Sequence, residues 1–334
     1  MSEYFNSPRL FQDRFCREST KEVILSAGSI GTPQILQLSG IGDAALLRAV
    51  NVEPLVNLTD VGKNLIDHPL LANHWFVNST STMDAIGRNA TLAEQLFQEW
   101  NTTELANSAT AAWISHLDET TIGHISAPRR SFSGPTSAHI EIIPMVYWLH
   151  FCFGELNGVC RMASSILCNG AVYRILPQPG NRCCSPVSRG AVTLASNDPF
   201  DSPIIDPGLL ADPFDQSTMV AAIKTVRKLL TAPVWDGYVL EPYGDLANAT
   251  TDAALAAYAQ KYTSSIWHPV GTARMAAKGS DEGVVDASLK VLKTEGLRIV
   301  DASVFPFIPA AHTQAAVYAF AERAADMIKA AWAD

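Results

Sequence analysis

Grouped basic residues are the first thing this sequence lacks. Its 24 Lys and Arg are scattered and outnumbered by 33 Asp and Glu, for a net charge of −9. Nucleic acid and anionic membrane surfaces are held by clustered cations, so neither is an expected partner. No run reaches the roughly 18 apolar residues of a spanning helix, and the opening MSEYFNSPRLFQDRFCREST has no apolar core of signal-peptide length. The six cysteines, at 16, 152, 160, 168, 183 and 184, do not form the C-x2-4-C pairs of a zinc site. Disulfides or inert thiols are expected, and no metal. A Walker loop and a G-x-G-x-x-G loop are also missing. GIGDAA (40–45) fits G-x-G-x-x-A, but a phosphate cradle follows a strand inside a βαβ unit. The preceding PQILQLS reads as a helix.

What is present is ordinary globular material. With 334 residues, 48% hydrophobic and 17% charged, the chain can bury a substantial core and is long enough for about two domains. KEVILSAG (21–28) reads as a buried strand, and GTPQILQLSG as a helix with Thr32 as N-cap, Pro33 at the first position and Gly40 as the stop. DAALLRAV behind Asp43 reads as a second helix. Between about 70 and 250 short alternating runs such as SAHIEIIPMVY and RGAVTLASND predict an antiparallel sheet. Helices at 214–230 and 251–262, the latter capped by Thr251 or Asp252, cover a face of it. LRIVDAS (297–303) predicts a second buried strand. The final helix carries Val317, Phe320, Ala321, Ala324 and Ile328 on one stripe. The two ends therefore form one α/β body and the middle a second.

SSIWHPVGTARM (264–275) holds the most informative side chain. A residue before proline is driven out of the helical region, so His268 lies on a loop or strand end. Alone it reads most simply as a satisfied structural histidine.

Several segments together alter that reading. GSIGTPQILQLSGIG (28–42), DVGKNLIDHP (60–69), SSIWHPVGTARM and GLRIVDASVFPFIPAAHTQAAVYAFAERAADMIK (296–329) resemble, in order, segments of the glucose-methanol-choline (GMC) oxidoreductases. HTQAAVY is similar to the aryl-alcohol and pyranose enzymes of that family. About 130–188 resembles nothing in it, HFCFGELNGVCRMASSILCNG least of all. The resemblance covers the C-terminal half to two-thirds of a full member, because the G-x-G-x-x-G unit that holds the ADP half of FAD has no counterpart.

The resemblance implies an α/β (α+β) fold: a partial FAD-binding Rossmann-like domain from residues 1–70 and 263–334, and an antiparallel-sheet substrate domain from 71–262. It implies FAD as cofactor and an aryl, allylic or sugar alcohol as substrate, with oxygen or a quinone as electron acceptor. His268 is then the base that takes the hydroxyl proton while hydride passes to flavin N5. His312, ahead of the last helix, would bind the substrate oxygen, where a helix dipole is positive. Thr313 and Gln314 would face the flavin N1/C2=O edge, Asp301 and Ala302 the ribityl-pyrophosphate part, and Asn64 and Asp67 the same cofactor. Asp301 can instead cap its loop and Asn64 a turn. Trp267, Phe305 and Phe307 could wall the substrate pocket, with core packing the alternative for the phenylalanines. The chain alone is expected to be colourless and inactive. A second reading is a catalytically silent, glycosylated remnant that binds a sugar or a protein. Sequons at Asn57, Asn78, Asn89, Asn101 and Asn248 suggest an extracellular full-length form.

Overall fold

The computed structural model describes residues 19–78, parts of 89–98, the strands at 113–115, 140–145 and 162–169, and residues 186–333 apart from 281. The cysteine side chains and Asn101 lie outside the described residues.

The ends of the chain meet in parallel: β1 (Val23–Leu25) pairs with β13 (Leu297–Ile299), Val23 opposite Leu297. The expected strand is present, but its expected burial is not. Val23 and Ile24 are 47% and 42% exposed, since β1 has this one partner among the described residues. Beneath, Arg298 and Glu22 form a buried ion pair at 2.9 Å, and Trp332 Nε1 donates to the same carboxylate.

The first helix begins a turn earlier than its sequence signals. α1 spans Gly28–Leu38, with Thr32 and Pro33 inside it. Its cap comes from far along the chain: Asp301 Oδ2 accepts from Gly28 N–H at 3.0 Å and from Thr32 Oγ at 2.5 Å. Local sequence does not reveal such a cap. Pro33 has no N–H to offer the Ser29 carbonyl one turn back. That carbonyl instead accepts from Thr272 Oγ at 2.7 Å, so the proline fastens α1 to the ribbon that carries His268.

GIGDAA is not a phosphate cradle. Ile41–Gly42 form β2, which pairs in parallel with β3 (Val56–Asn57), and Asp43 caps the six-residue α2 (Ala44–Ala49). Gly40 has φ +76, and a Cβ there would lie 2.5 Å from the Glu53 carbonyl, so this glycine serves chain crossing. Asp43 also pairs with Lys63 at 3.1 Å.

Among the described residues, the middle of the chain forms a six-stranded antiparallel sheet. β5 (Pro69–Val77) is flanked by β8 (Met162–Asn169) on one side and by β11 (Val239–Pro242) and β12 (Thr263–Ser265) on the other; β7 (Ile140–Met145) and β6 (Trp113–Ser115) follow β8. Of the least recognisable stretch, the described part is β8, which joins the sheet with Leu70 opposite Asn169. Two helices cover β5. α3 (Pro213–Leu229) is capped by Asp212 with Pro213 in the first turn, and α5 (Asp252–Tyr262) by Thr251, with α4 (Asp245–Asn248) between them. Leu71 and Trp75 of β5 pack with Met219, Ile223, Val226, Leu255 and Tyr258, each large apolar side chain contributing about 1.5–3 kcal/mol by burial.

The chain then returns toward α1 within the segment 71–262. β9 (Gly190–Thr193) pairs with β4 (Lys63–Leu65) and β10 (Ile204–Asp206), and the Gln37 amide donates to Val192 O and accepts from Leu194 N–H. A second core joins Leu36, Ile66, Val270, Ile299, Phe305 and Ala324. The last helix, α6 (Gln314–Ala331), is more exposed than its stripe predicts. Ala324 is buried, Val317, Phe320 and Ile328 are half-buried and Ala321 is exposed.

Candidate active site

Residues 268–275 run as a ribbon between two segments, and hydrogen bonds fix them on both sides. Ile66 and Val270 exchange backbone bonds at 3.0 and 2.9 Å, and Gly62 N–H reaches Thr272 O at 2.8 Å. On the far side Gly271, Ala273 and Met275 donate to the carbonyls of Ala302, Ser303 and Val304. Carried two residues on from the antiparallel Ile66–Val270 bridge, the register sets His68 opposite His268. At Ser265, opposite Pro69, it has slipped. The two extra residues, Ile266 and Trp267, form a bulge with Trp267 at φ +63, a conformation costly for a bulky residue.

Three imidazoles gather at this point. His68 Nδ1 lies 2.9 Å from His268 Nδ1, the rings nearly perpendicular at 80°. The His268 and His312 rings are 5.0 Å apart at 81°. His68 is buried, at 1% exposure, while His268 is half-buried and His312 exposed. Burial first, then the adjacent His268 and His312 rings, lower the His68 pKa to about 3, so that ring is neutral at ordinary pH.

The backbone of His268 is held from below. Its N–H donates to Asp67 Oδ1 at 2.9 Å, the Ser265 hydroxyl donates to Oδ2, and Trp267 N–H donates to Ser265 Oγ at 2.7 Å. Burial raises the Asp67 carboxyl pKa against these hydrogen bonds. Asp67, expected at the cofactor, thus has both oxygens committed to the bulge.

Asn64 is likewise placed as a brace. At φ +62, it donates to the Gly271 carbonyl at 3.3 Å and accepts from Arg189 Nε at 3.1 Å. Gly271 has φ +87, and a Cβ there would lie 2.8 Å from Asn64 O. We expect Gly271→Ala to destabilise the fold by about 1–3 kcal/mol. A thermal unfolding scan checks this; an unchanged midpoint would show that the turn tolerates a side chain.

The remaining predicted residues divide. Asp301 both caps α1 and, through Oδ1, accepts from Ser303 N–H at 2.8 Å, while Ala302 offers its carbonyl to Gly271. The capping alternative therefore describes what Asp301 does within the chain. Phe305 is core, 2% exposed and 4.4 Å from the Phe320 ring; this corrects its expected place in a pocket wall. Phe307 is half-buried. Trp267 is 87% exposed, open beside His268 and not packed round a closed pocket. Thr313 and Gln314 stand at the start of α6, where Thr313 makes no side-chain cap bond.

His68, Ser265 and Arg189 were not anticipated. A signal for His68 exists: Ile66-Asp67-His68-Pro69 and Ile266-Trp267-His268-Pro269 share the pattern Ile-x-His-Pro, and both histidines precede a proline that forces extended backbone. Arg189 also reaches the carbonyls of Pro186, Val187 and Ser188, knitting the start of β9 to Asn64.

The family models for GMC oxidoreductases match residues 10–70 and 186–321, the segments that build this ribbon and its flanks. The chain belongs to the GMC oxidoreductase family. It is 36% identical over 321 residues to dehydrogenase eriK of Hericium erinaceus and 35% over 319 residues to a pyranose dehydrogenase of Agaricus campestris, covering 93% and 92% of this chain. It spans about half the length of these curated relatives, 51% and 50%. Among solved structures, a formate oxidase of Aspergillus oryzae RIB40 studied for FAD modification has a TM-score of 0.74 at 27% identity, covering 94% of this chain and 55% of the oxidase. A fungal aryl-alcohol oxidase has a TM-score of 0.68 at 27% identity, covering 94% of this chain and 55% of that one. The cofactor that family and neighbours indicate is FAD.

The residues present fit the flavin end of FAD. The first turn of α6 has no side-chain cap, and His312, Gln314 and Ala315 at its mouth are exposed. Open N–H groups at a helix start favour an anionic partner, such as the N1/C2=O edge of a reduced flavin.

Proposed function

We propose that this GMC oxidoreductase chain contributes the proton-handling half of an FAD-dependent alcohol oxidation, with His268 as the base. The observation that carries the reading is the placement of the His268 and His312 rings, 5.0 Å apart, at the open start of α6. Bound FAD would supply the acceptor for the hydride of the carbinol carbon. His268 takes the hydroxyl proton; imidazole suits this because its ordinary pKa lies near neutrality. His312 orients the substrate oxygen, and the amides of Thr313 and Gln314 favour the negative edge of the cofactor. The bulge held by Asp67 and Ser265 keeps His268 from swinging away.

The substrate class we propose is an aryl, allylic or sugar alcohol, in line with the pyranose dehydrogenase and aryl-alcohol oxidase relatives, with oxygen or a quinone as electron acceptor. Trp267, exposed beside His268, supplies an aromatic face for such a substrate. Asn57, Asn78, Asn89 and Asn248 are exposed, which supports glycosylation and secretion.

The test is anaerobic mixing of the protein, supplied with a family FAD-binding segment and loaded with FAD, with a benzylic alcohol, an allylic alcohol and a pyranose while the flavin absorbance is followed. Bleaching by at least one of the three is expected. A flavoprotein bleached by none of them would overturn the substrate class; bleaching by formate alone would place the activity beside the formate oxidase neighbour.

A further inference from the structure

Two imidazole nitrogens 2.9 Å apart share one proton when both rings are neutral, and the question is which ring supplies it. The answer decides where His268 keeps its lone pair. Buried His68 also hydrogen-bonds the backbone of Pro309. Proline has no N–H, so Pro309 offers only its carbonyl, and the ring nitrogen facing it must carry hydrogen. With Nδ1 engaged by His268, the nitrogen left for the carbonyl is Nε2. A neutral imidazole carries one N–H, so Nδ1 of His68 is then an acceptor.

We propose that His68 is a positioning residue which fixes the tautomer of His268: Pro309 holds the His68 proton on Nε2, His68 Nδ1 accepts from His268 Nδ1–H, and the His268 lone pair is thereby confined to Nε2. This rests on the reading of His268 as the base and extends it to the particular nitrogen that acts. The arrangement follows the usual logic of a histidine whose active nitrogen is set by the hydrogen bond its other nitrogen makes. Here the orienting partner is a second imidazole and not a carboxylate. The adjacent carboxylate of Asp67 is spent on the His268 backbone and Ser265. Among the described residues, His268 and His312 are titratable groups that act on His68, with Asp67 next to it in the chain. A neutral acceptor keeps its hydrogen bond when His268 becomes imidazolium, and the bond strengthens because the donor is then charged. Burial keeps His68 itself from taking that proton.

The experiment is a long-range 1H–15N correlation of the ring nitrogens in the 15N-labelled full chain at neutral pH, which needs no turnover. For His268 we expect a pyrrole-type Nδ1 and a pyridine-type Nε2, and for His68 the reverse. His68→Leu should lose this single pattern in favour of a tautomer mixture at His268. His68→Asn, whose amide oxygen can accept near the Nδ1 position, should restore it. A pyridine-type Nδ1 on His268 in the wild-type protein overturns the proposal, as does an unchanged His268 pattern in His68→Leu. The wild-type spectrum alone decides if the leucine variant does not fold. The base assignment fails separately: flavin reduction undisturbed in His268→Ala would refute it and leave the tautomer result standing.

Discussion

Replacing His268 by Ala, in the protein supplied with a family FAD-binding segment, should slow alcohol-driven flavin reduction by about 100- to 10,000-fold while leaving the absorbance spectrum of bound FAD in place. The separation of the two effects follows from the geometry. The His268 side chain meets His68 and His312, whereas the ribbon is held by its backbone: His268 N–H to Asp67, Val270 to Ile66, Gly271 to Ala302. Truncating the ring removes a proton acceptor and leaves those bonds intact. Anaerobic stopped-flow reduction, with the spectrum recorded before mixing, reads both. Loss of the flavin along with the rate would show that the ring is structural.

The second large effect concerns acid stability. The His68 pKa falls from 6.5 to about 3 on folding, through burial and then the neighbouring His268 and His312 rings. The folded state therefore binds fewer protons at this ring than the unfolded chain. Its contribution is fully present above pH about 6.5 and is lost as pH falls from there toward about 3, a total of roughly 4–5 kcal/mol at up to about 1.4 kcal/mol per unit. Burial raises the pKa values of Asp67 and Asp215, and raised carboxyls act in the opposite sense, gaining stability as they protonate. The comparison that isolates His68 is thus wild type against His68→Asn, by denaturant unfolding at a series of pH values. The asparagine variant should lose less stability between pH 6.5 and 4, and parallel profiles would mean that His68 is not held neutral by the fold.

Much of this architecture was legible in the sequence because its signals are local. Asp43 and Thr251 announce the helices they cap, and the proline after His268 excludes a helix there. The missing parts are those made by distant partners. Thr32 and Pro33 look like a helix start, yet the helix starts at Gly28 because Asp301 arrives from the other end of the chain to cap it. Asn64 takes the turn role that its sequence already allowed, whereas Asp67 braces a bulge that arrives from the far end of the chain. Phe305 takes the core reading that stood beside its pocket one, with Phe320 packed across from it. The same limit hid His68: its two-hundred-residue partner is set by a strand register that no window of sequence contains, although the repeated Ile-x-His-Pro hinted at it.

The most direct measurement of the central claim is how the His268→Ala penalty on flavin reduction varies across a series of benzylic alcohols of increasing acidity. If His268 accepts the hydroxyl proton, the penalty shrinks steadily as the alcohol becomes more acidic, because the substrate then needs less help to ionise. A penalty of the same size for every alcohol would contradict the account and leave His268 as a residue that holds the substrate without taking its proton.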